Sequence, residues 1–443
     1  MAQTFDLILR NGIAVTPNGP QRTDIAVSDG RIRAIGDLLG ASAADEIDLR
    51  GLTVLPGVID TQVHFREPGL EHKEDLESGT RAAAQGGVVA IFEMPNTKPS
   101  TTTADAIRDK LARARGRAWV DHAFFIGAAS DNVGHLAEWE RIPGCAGVKV
   151  FMGSSTGSLL VDDDSTLAAV LAQGFRRIAV HCEDEGRLIE RKHLAEEGAH
   201  PRVHHQWRDE ETALKATTRL ISLAEKAGRR VHVLHVTTAE EMAFLGGHKD
   251  LATVETTPQH LTLAAPECYE RLGTYAQMNP PIREARHRDA LWKAITDGTV
   301  DVLGSDHAPH TREEKDKPYP ASPSGMTGVQ TLVPIMLDHV NQGRLSLERL
   351  VDLTSAGPAR IYNITGKGRI AVGYDADFTI VDMRAERTIT NGWIESRCGW
   401  TPFDGRKVTG WPIATIVRGL TVMRDGQLLG SAAGEPVRFQ ESR

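Results

Sequence analysis

The sequence predicts an α/β protein: a closed (β/α)8 barrel of the TIM type, with a smaller discontinuous β-sandwich domain drawn from both termini. Three observations predict it. Eight short apolar runs between Val58 and Gly304 alternate with stretches of helical composition and spacing. Polar, chemistry-bearing residues recur at the same end of run after run, where a barrel places its functional groups. The two ends of the chain share another texture, short strands broken by tight turns. The alternative is an open doubly wound sheet. That fold usually carries a Gly-rich phosphate loop after its first strand, and this chain has none there.

Taken in order, residues 1–55 and 366–443 are expected to form the sandwich and residues 56–365 the barrel. Phe5–Leu9 reads as a strand closed by a turn at Asn11-Gly12. Asp24–Val27 and Arg31–Ile35 flank Ser28-Asp29-Gly30 as a hairpin. This segment is too small to hold a core alone. The runs Arg369–Val381 and Ala414–Leu420 supply its partner. The barrel strands are expected at Val58–His64, Val88–Phe92, Val120–Ile126, Gly147–Phe151, Arg177–His181, Val231–His235, Ala252–Glu255 and Val300–Gly304. Helices are expected at 104–115, 210–227 and 286–295.

Composition narrows the function. The 443 residues exceed a single core of ~100–200 residues. The charge of -8 is mixed along the chain, with no basic block that would suit nucleic acid. No apolar run reaches the ~18 residues of a membrane span, and the first residues lack the pattern of a secretory signal. The four cysteines are far apart and form no CxxC, which fits buried thiols in a reducing cytoplasm.

The first barrel strand carries Asp60, Gln62 and His64 at alternate positions, hence on one face. Polar groups there belong to a site. His181, His235 and Asp306 stand at the ends of strands five, six and eight. Imidazole and carboxylate at equivalent strand ends suit a borderline divalent ion such as Zn2+. Lys149 lies in an otherwise apolar strand. Burial would favour its neutral amine, which with CO2 gives a carbamate able to bridge two metal ions. A lysine paired with a carboxylate or reaching solvent is the alternative. Asp162-Asp163-Asp164 could supply a bridging carboxylate instead, or cap the helix that follows. Such a centre would support metal-assisted hydrolysis, with Asp306 passing a proton from the attacking water to the leaving nitrogen. The loop Ala308–Gly328 is long enough to be expected to close over a substrate.

These residues carry a resemblance. Gly57–Gly69, Glu93–Thr97, Lys149–Ser155, His181–Glu183, His235–Thr238, Thr257–Leu261, Asn279–Arg283, Gly304–His310, Asp375–Asp377 and Trp400–Phe403 resemble the amidohydrolase superfamily, and within it the dihydroorotases. The resemblance covers nearly the whole chain. It implies reversible hydrolysis of L-dihydroorotate to N-carbamoyl-L-aspartate in pyrimidine biosynthesis, with one or two zinc ions and a carbamylated Lys149. It implies metal ligation by His64, Lys149, His181, His235 and Asp306, with Gln62 as a weaker ligand. Asp306 would be the acid/base, and Arg66, Asn96, Asn279 and His310 the substrate contacts. It also suggests a homo-oligomer and, as a further partner, a carbamoyltransferase. Two positions depart from the family pattern: Gln62 and Gln259 each stand where histidine is usual. The first leaves three outcomes open: two metals with one held loosely, one metal at His181 and His235, or a dead site, and with it the reading of a catalytically silent homologue serving as a partner subunit. An allantoinase or hydantoinase type of cyclic amidase is the other enzymatic reading.

Overall fold

Parallel strands make the centre of the computed structural model, which describes residues 4–155 and 159–441. The outermost residues assigned to the sandwich, 1–3 and 442–443, lie outside that range. All eight expected barrel strands form: Val58–Val63, Val88–Glu93, Asp121–Gly127, Cys145–Phe151, Ile178–His181, Val231–Val233, Ala252–Thr256 and Val302–Leu303. They pair in chain order as one parallel sheet. Their cores are Val, Ile, Phe and Ala with almost no exposure, the composition of strands covered on both faces. The eighth strand has two residues, so the ring closes just beyond it. His64 N donates to His307 O at 2.7 Å, and Val63 bridges His307 in parallel.

Helices cover the barrel where polar and apolar residues alternate at helical period. The expected helices appear at Ala104–Ala114, Glu210–Ala227 and Ala285–Asp297. Asp209 caps the second, accepting from Thr212 N, and Gly228 ends it at φ 62°. Asp163 accepts from Thr166 N and caps Asp164–Leu171, so the acidic run starts a helix.

Strands from the two chain ends join in one mixed nine-stranded sheet. Residues Thr53–Pro56 pair with both Thr4–Thr16 and Phe378–Thr388, so the N-terminal and C-terminal parts are hydrogen-bonded directly. Leu7, Leu9, Ile25, Val54, Phe378 and Ile416 share one apolar cluster, so the sheet folds over a core of its own. Two details differ from expectation. Asn11-Gly12 makes no turn: the strand runs unbroken from Thr4 to Thr16, and Asn11 at φ 63° absorbs an extra residue as a bulge. Ala414–Leu420 is two strands, because Arg418 and Gly419 both take positive φ and reverse the chain. All four cysteines are buried and free. Among the described residues no helix is long and apolar enough to cross a membrane.

Candidate metal centre and substrate chamber

The first barrel strand does not keep strict alternation. Its pairing with the second strand shifts between Asp60 and Val63. The Asp60 carboxylate accepts from Ser305 N at 2.9 Å and Gln62 N at 3.2 Å, tying strand one to strand eight. Thr61 therefore also faces a buried polar group, donating to Glu255 at 2.6 Å. Burial pushes Glu255 up to about 8 and Asp60 up to about 7.

Gln62, His64, Arg66, Asn96, His181, His235, Asn279 and Asp306 line one inner chamber of about 20 Å³, room for a water or a single ion. Phe151, Ser155, Ala308, Ser324 and Gly325 complete its wall. Three of the site residues, Arg66, His235 and Asp306, hold positive φ (66°, 37° and 44°). Backbone that L-residues avoid persists where the surroundings impose it, and it clusters at functional sites.

Two donor pairs line the chamber, each on a hydrogen-bonded support. His181 Nε2 donates to Glu183 Oε2 at 2.8 Å, which leaves its Nδ1 lone pair aimed at His235 Nε2, 3.1 Å away. Arg208 and His181 hold the Glu183 carboxyl below its usual range although burial pushes it up. In the second pair His64 Nδ1 donates to Asn96 Oδ1 at 2.7 Å. Its Nε2 lone pair then faces Asp306 Oδ1 at 3.1 Å. Two acceptors at that distance are an arrangement that a cation relieves. Gln62 Nε2 donates to the same oxygen at 3.1 Å, and Gln62 Oε1 has no hydrogen-bond partner among the described residues.

Lys149 is 1% exposed and its Nζ likewise has no partner among the described residues. Burial pulls it down to about 7, against the opposing charge of Asp306. It lies 4.4 Å from the Phe151 ring centre; burial lowers both His181 and His235, and the charge of Lys149 adds to that. Among the described residues no three His, Cys, Asp or Glu side chains group as a metal set. Each pair needs a further donor; Lys149 is not on the chamber wall but is the buried group whose charge acts on His181 and His235 and which Asp306 acts on in turn. The residues fit a borderline divalent ion on these terms.

Arg66 is 1% exposed, and burial pulls it down to about 10. Its Nε donates to Pro309 O at 3.2 Å. His310 is not on the chamber wall. It sits behind Arg66, with Nε2 3.3 Å from Arg66 Nη2. Asn279 bridges outward, its Oδ1 3.0 Å from His204 Nε2. With Ser155 and Ser324 it also borders an outer cavity of about 450 Å³ that includes Leu188, Trp207, Arg208 and Tyr319. Gln259 lies outside the chamber and donates to Ser305 O at 2.7 Å.

Sequence reasoning missed Glu183, Thr61 and Glu255. The alternation that grouped Asp60 with Gln62 and His64 also links His181 to Glu183 and could have found it. Nothing local marks Thr61 or Glu255, because their contact spans 194 residues. The loop 308–328 was expected as a cover. It is heavily anchored: Lys315 is fully buried and donates to Pro323 O at 2.8 Å and Gly325 O at 3.3 Å.

Comparison with known proteins agrees with this architecture. The amidohydrolase family matches residues 53–422. A dihydroorotase of Halobacterium salinarum is 37% identical over 439 residues, covering 94% of this chain and 99% of that one. An allantoinase of Rubrobacter xylanophilus is 36% identical over 451 residues, with 99% of each chain covered. Among solved structures, an L-hydantoinase (dihydropyrimidinase) from Arthrobacter aurescens superposes with a TM-score of 0.92 at 32% identity, covering 98% of this chain and 99% of that chain. By its fold, by the extent of these matches and by the strand ends that carry its polar residues, this chain belongs to the amidohydrolase family.

Proposed function

We propose that the protein is a zinc-dependent dihydroorotase, opening the ring of L-dihydroorotate to N-carbamoyl-L-aspartate and closing it again in pyrimidine biosynthesis. The observation that carries the substrate is Arg66. It is the only Arg or Lys among the described residues of the inner chamber wall, and it lies beside His64 and Asp306. A guanidinium fork matches a carboxylate. Dihydroorotate carries a ring carboxylate, and the hydantoin and allantoin rings do not.

In this reading His181, His235 and Lys149 as its carbamate hold one ion, and His64, Asp306 and Gln62 border a second, weaker position. A bound divalent ion lowers the pKa of water and polarises the amide carbonyl. Asp306 takes the proton from the attacking water and delivers it to the ring nitrogen as the C–N bond breaks. Arg66 holds the substrate carboxylate, with His310 packed behind it. Asn96 and Asn279 bind polar atoms of the ring. Residues 56–365 are the catalytic unit, and 1–55 with 366–443 form the supporting one.

The allantoinase relative at 36% identity favours a second reading, a cyclic amidase of the allantoinase or hydantoinase type. Purified protein offered dihydroorotate, allantoin and hydantoin, with and without chelator, separates them. Turnover of dihydroorotate, lost on chelation, is expected. Hydrolysis of allantoin or hydantoin with none of dihydroorotate overturns the proposal.

A further inference from the structure

We infer that Trp400, carried on the C-terminal segment after the barrel, is a positioning residue that fixes Arg66 for a carboxylate-bearing substrate. The inference rests on the reading of Arg66 given above. Lys73 Nζ lies 3.1 Å from His310 Nδ1, and an ammonium only donates, so Nδ1 is the acceptor. His310 Nε2 therefore carries the hydrogen, which it gives to Ser324 O at 3.0 Å. The Arg66 Nη2 contact with His310 Nε2 then sets one N–H beside another and is packing, not a hydrogen bond. Arg66 is held instead by the Pro309 carbonyl, through its Nε.

That makes the Pro309–His310 backbone the support on which the guanidinium is aimed. Trp400 holds the next carbonyl: its indole Nε1 donates to His310 O at 2.8 Å. Trp400 is itself immobilised. It is 1% exposed, its carbonyl accepts from Thr327 Oγ1 at 2.9 Å, and Tyr275 meets its ring edge-on at 4.8 Å. A buried indole N–H with one well-placed acceptor specifies a backbone position, because any other leaves the N–H unsatisfied.

The test uses the metal-loaded, full-length protein. Trp400→Phe keeps an aromatic ring and removes only the N–H. It is expected to raise the KM for dihydroorotate and the Kd for orotate by roughly two- to tenfold, the weight of one hydrogen bond, with kcat unchanged. Thr327→Val, which frees the Trp400 carbonyl, should shift both in the same direction. Arg66→Gln sets the upper limit of the effect. Unchanged KM and orotate affinity in Trp400→Phe, with Arg66→Gln impaired, overturns the positioning role and leaves the substrate reading standing. A fall in kcat alone also overturns it. Wild-type protein that neither turns over dihydroorotate nor binds orotate removes the substrate reading, and this inference with it.

Discussion

Replacing Gln62 with histidine is expected to change how many metal ions the chain retains. In the wild type the Gln62 amide donates to Asp306 Oδ1 at 3.1 Å, the same oxygen that faces His64 Nε2. An ion entering between His64 and Asp306 competes with that donor. A hydrogen bond to a charged group contributes about 1.5–3 kcal/mol, so the competition weakens binding there by roughly 10- to 150-fold. At His181 and His235 the Glu183 carboxylate instead fixes the ring that would bind. After dialysis against a metal buffer, mass spectrometry of metal content should give one ion per wild-type chain. Gln62→His removes the donor and adds a ligand, and should give two. A wild-type chain that keeps two ions through the same wash refutes the reasoning, since Gln62 would then cost nothing. So does a variant that still keeps one.

Three further outcomes follow from buried charge. Glu255→Gln should gain stability over the wild type as pH rises. Below 4.5 both folded and unfolded wild type are protonated at this position; between 4.5 and about 8 only the folded state keeps the proton, so stability falls with pH and then levels off. Urea midpoints of the two proteins at pH ~5 and ~9 should diverge in favour of the variant; parallel curves count against it. Lys110→Ala should lose about 3–5 kcal/mol, because it strands the fully buried Glu93 carboxylate that Lys110 pairs with; Lys110→Met with Glu93→Gln should recover most of this in denaturant titrations. Carbon-13 bicarbonate added with metal should give a carbamate carbon resonance that is absent in Lys149→Ala, and an identical spectrum from both proteins rejects the carbamate.

The barrel was legible because its signals are local. Most of the strands are apolar runs, and His64, His181, His235 and Asp306 stand at or just past the ends of four of them. His64, His181, His235 and Asp306 could be grouped before any contact was known. What stayed hidden depends on the third dimension. The bulge at Asn11 and the reversal at Arg418-Gly419 each need positive φ at a residue that is not glycine, Asn11 and Arg418, which composition does not announce. Asn96 reads as a polar residue in a loop, yet it orients His64. His310 looks equivalent to Arg66 in sequence, yet a second layer of contacts sets it behind the wall. The Thr61–Glu255 bond appears only once strand one shifts register against strand two.

The two-residue eighth strand has a consequence for how the barrel stays closed. The barrel's seam and its reactive centre are the same place. His64 joins the ring to His307, and Asp306, the residue before it, faces His64 across the chamber. Whatever draws those two side chains together also fastens the ring, as a clasp does a bracelet. Ligand binding at one point would thus protect backbone amides around the whole circumference from exchange, and loss of the ligand would let the barrel open first where its chemistry is done.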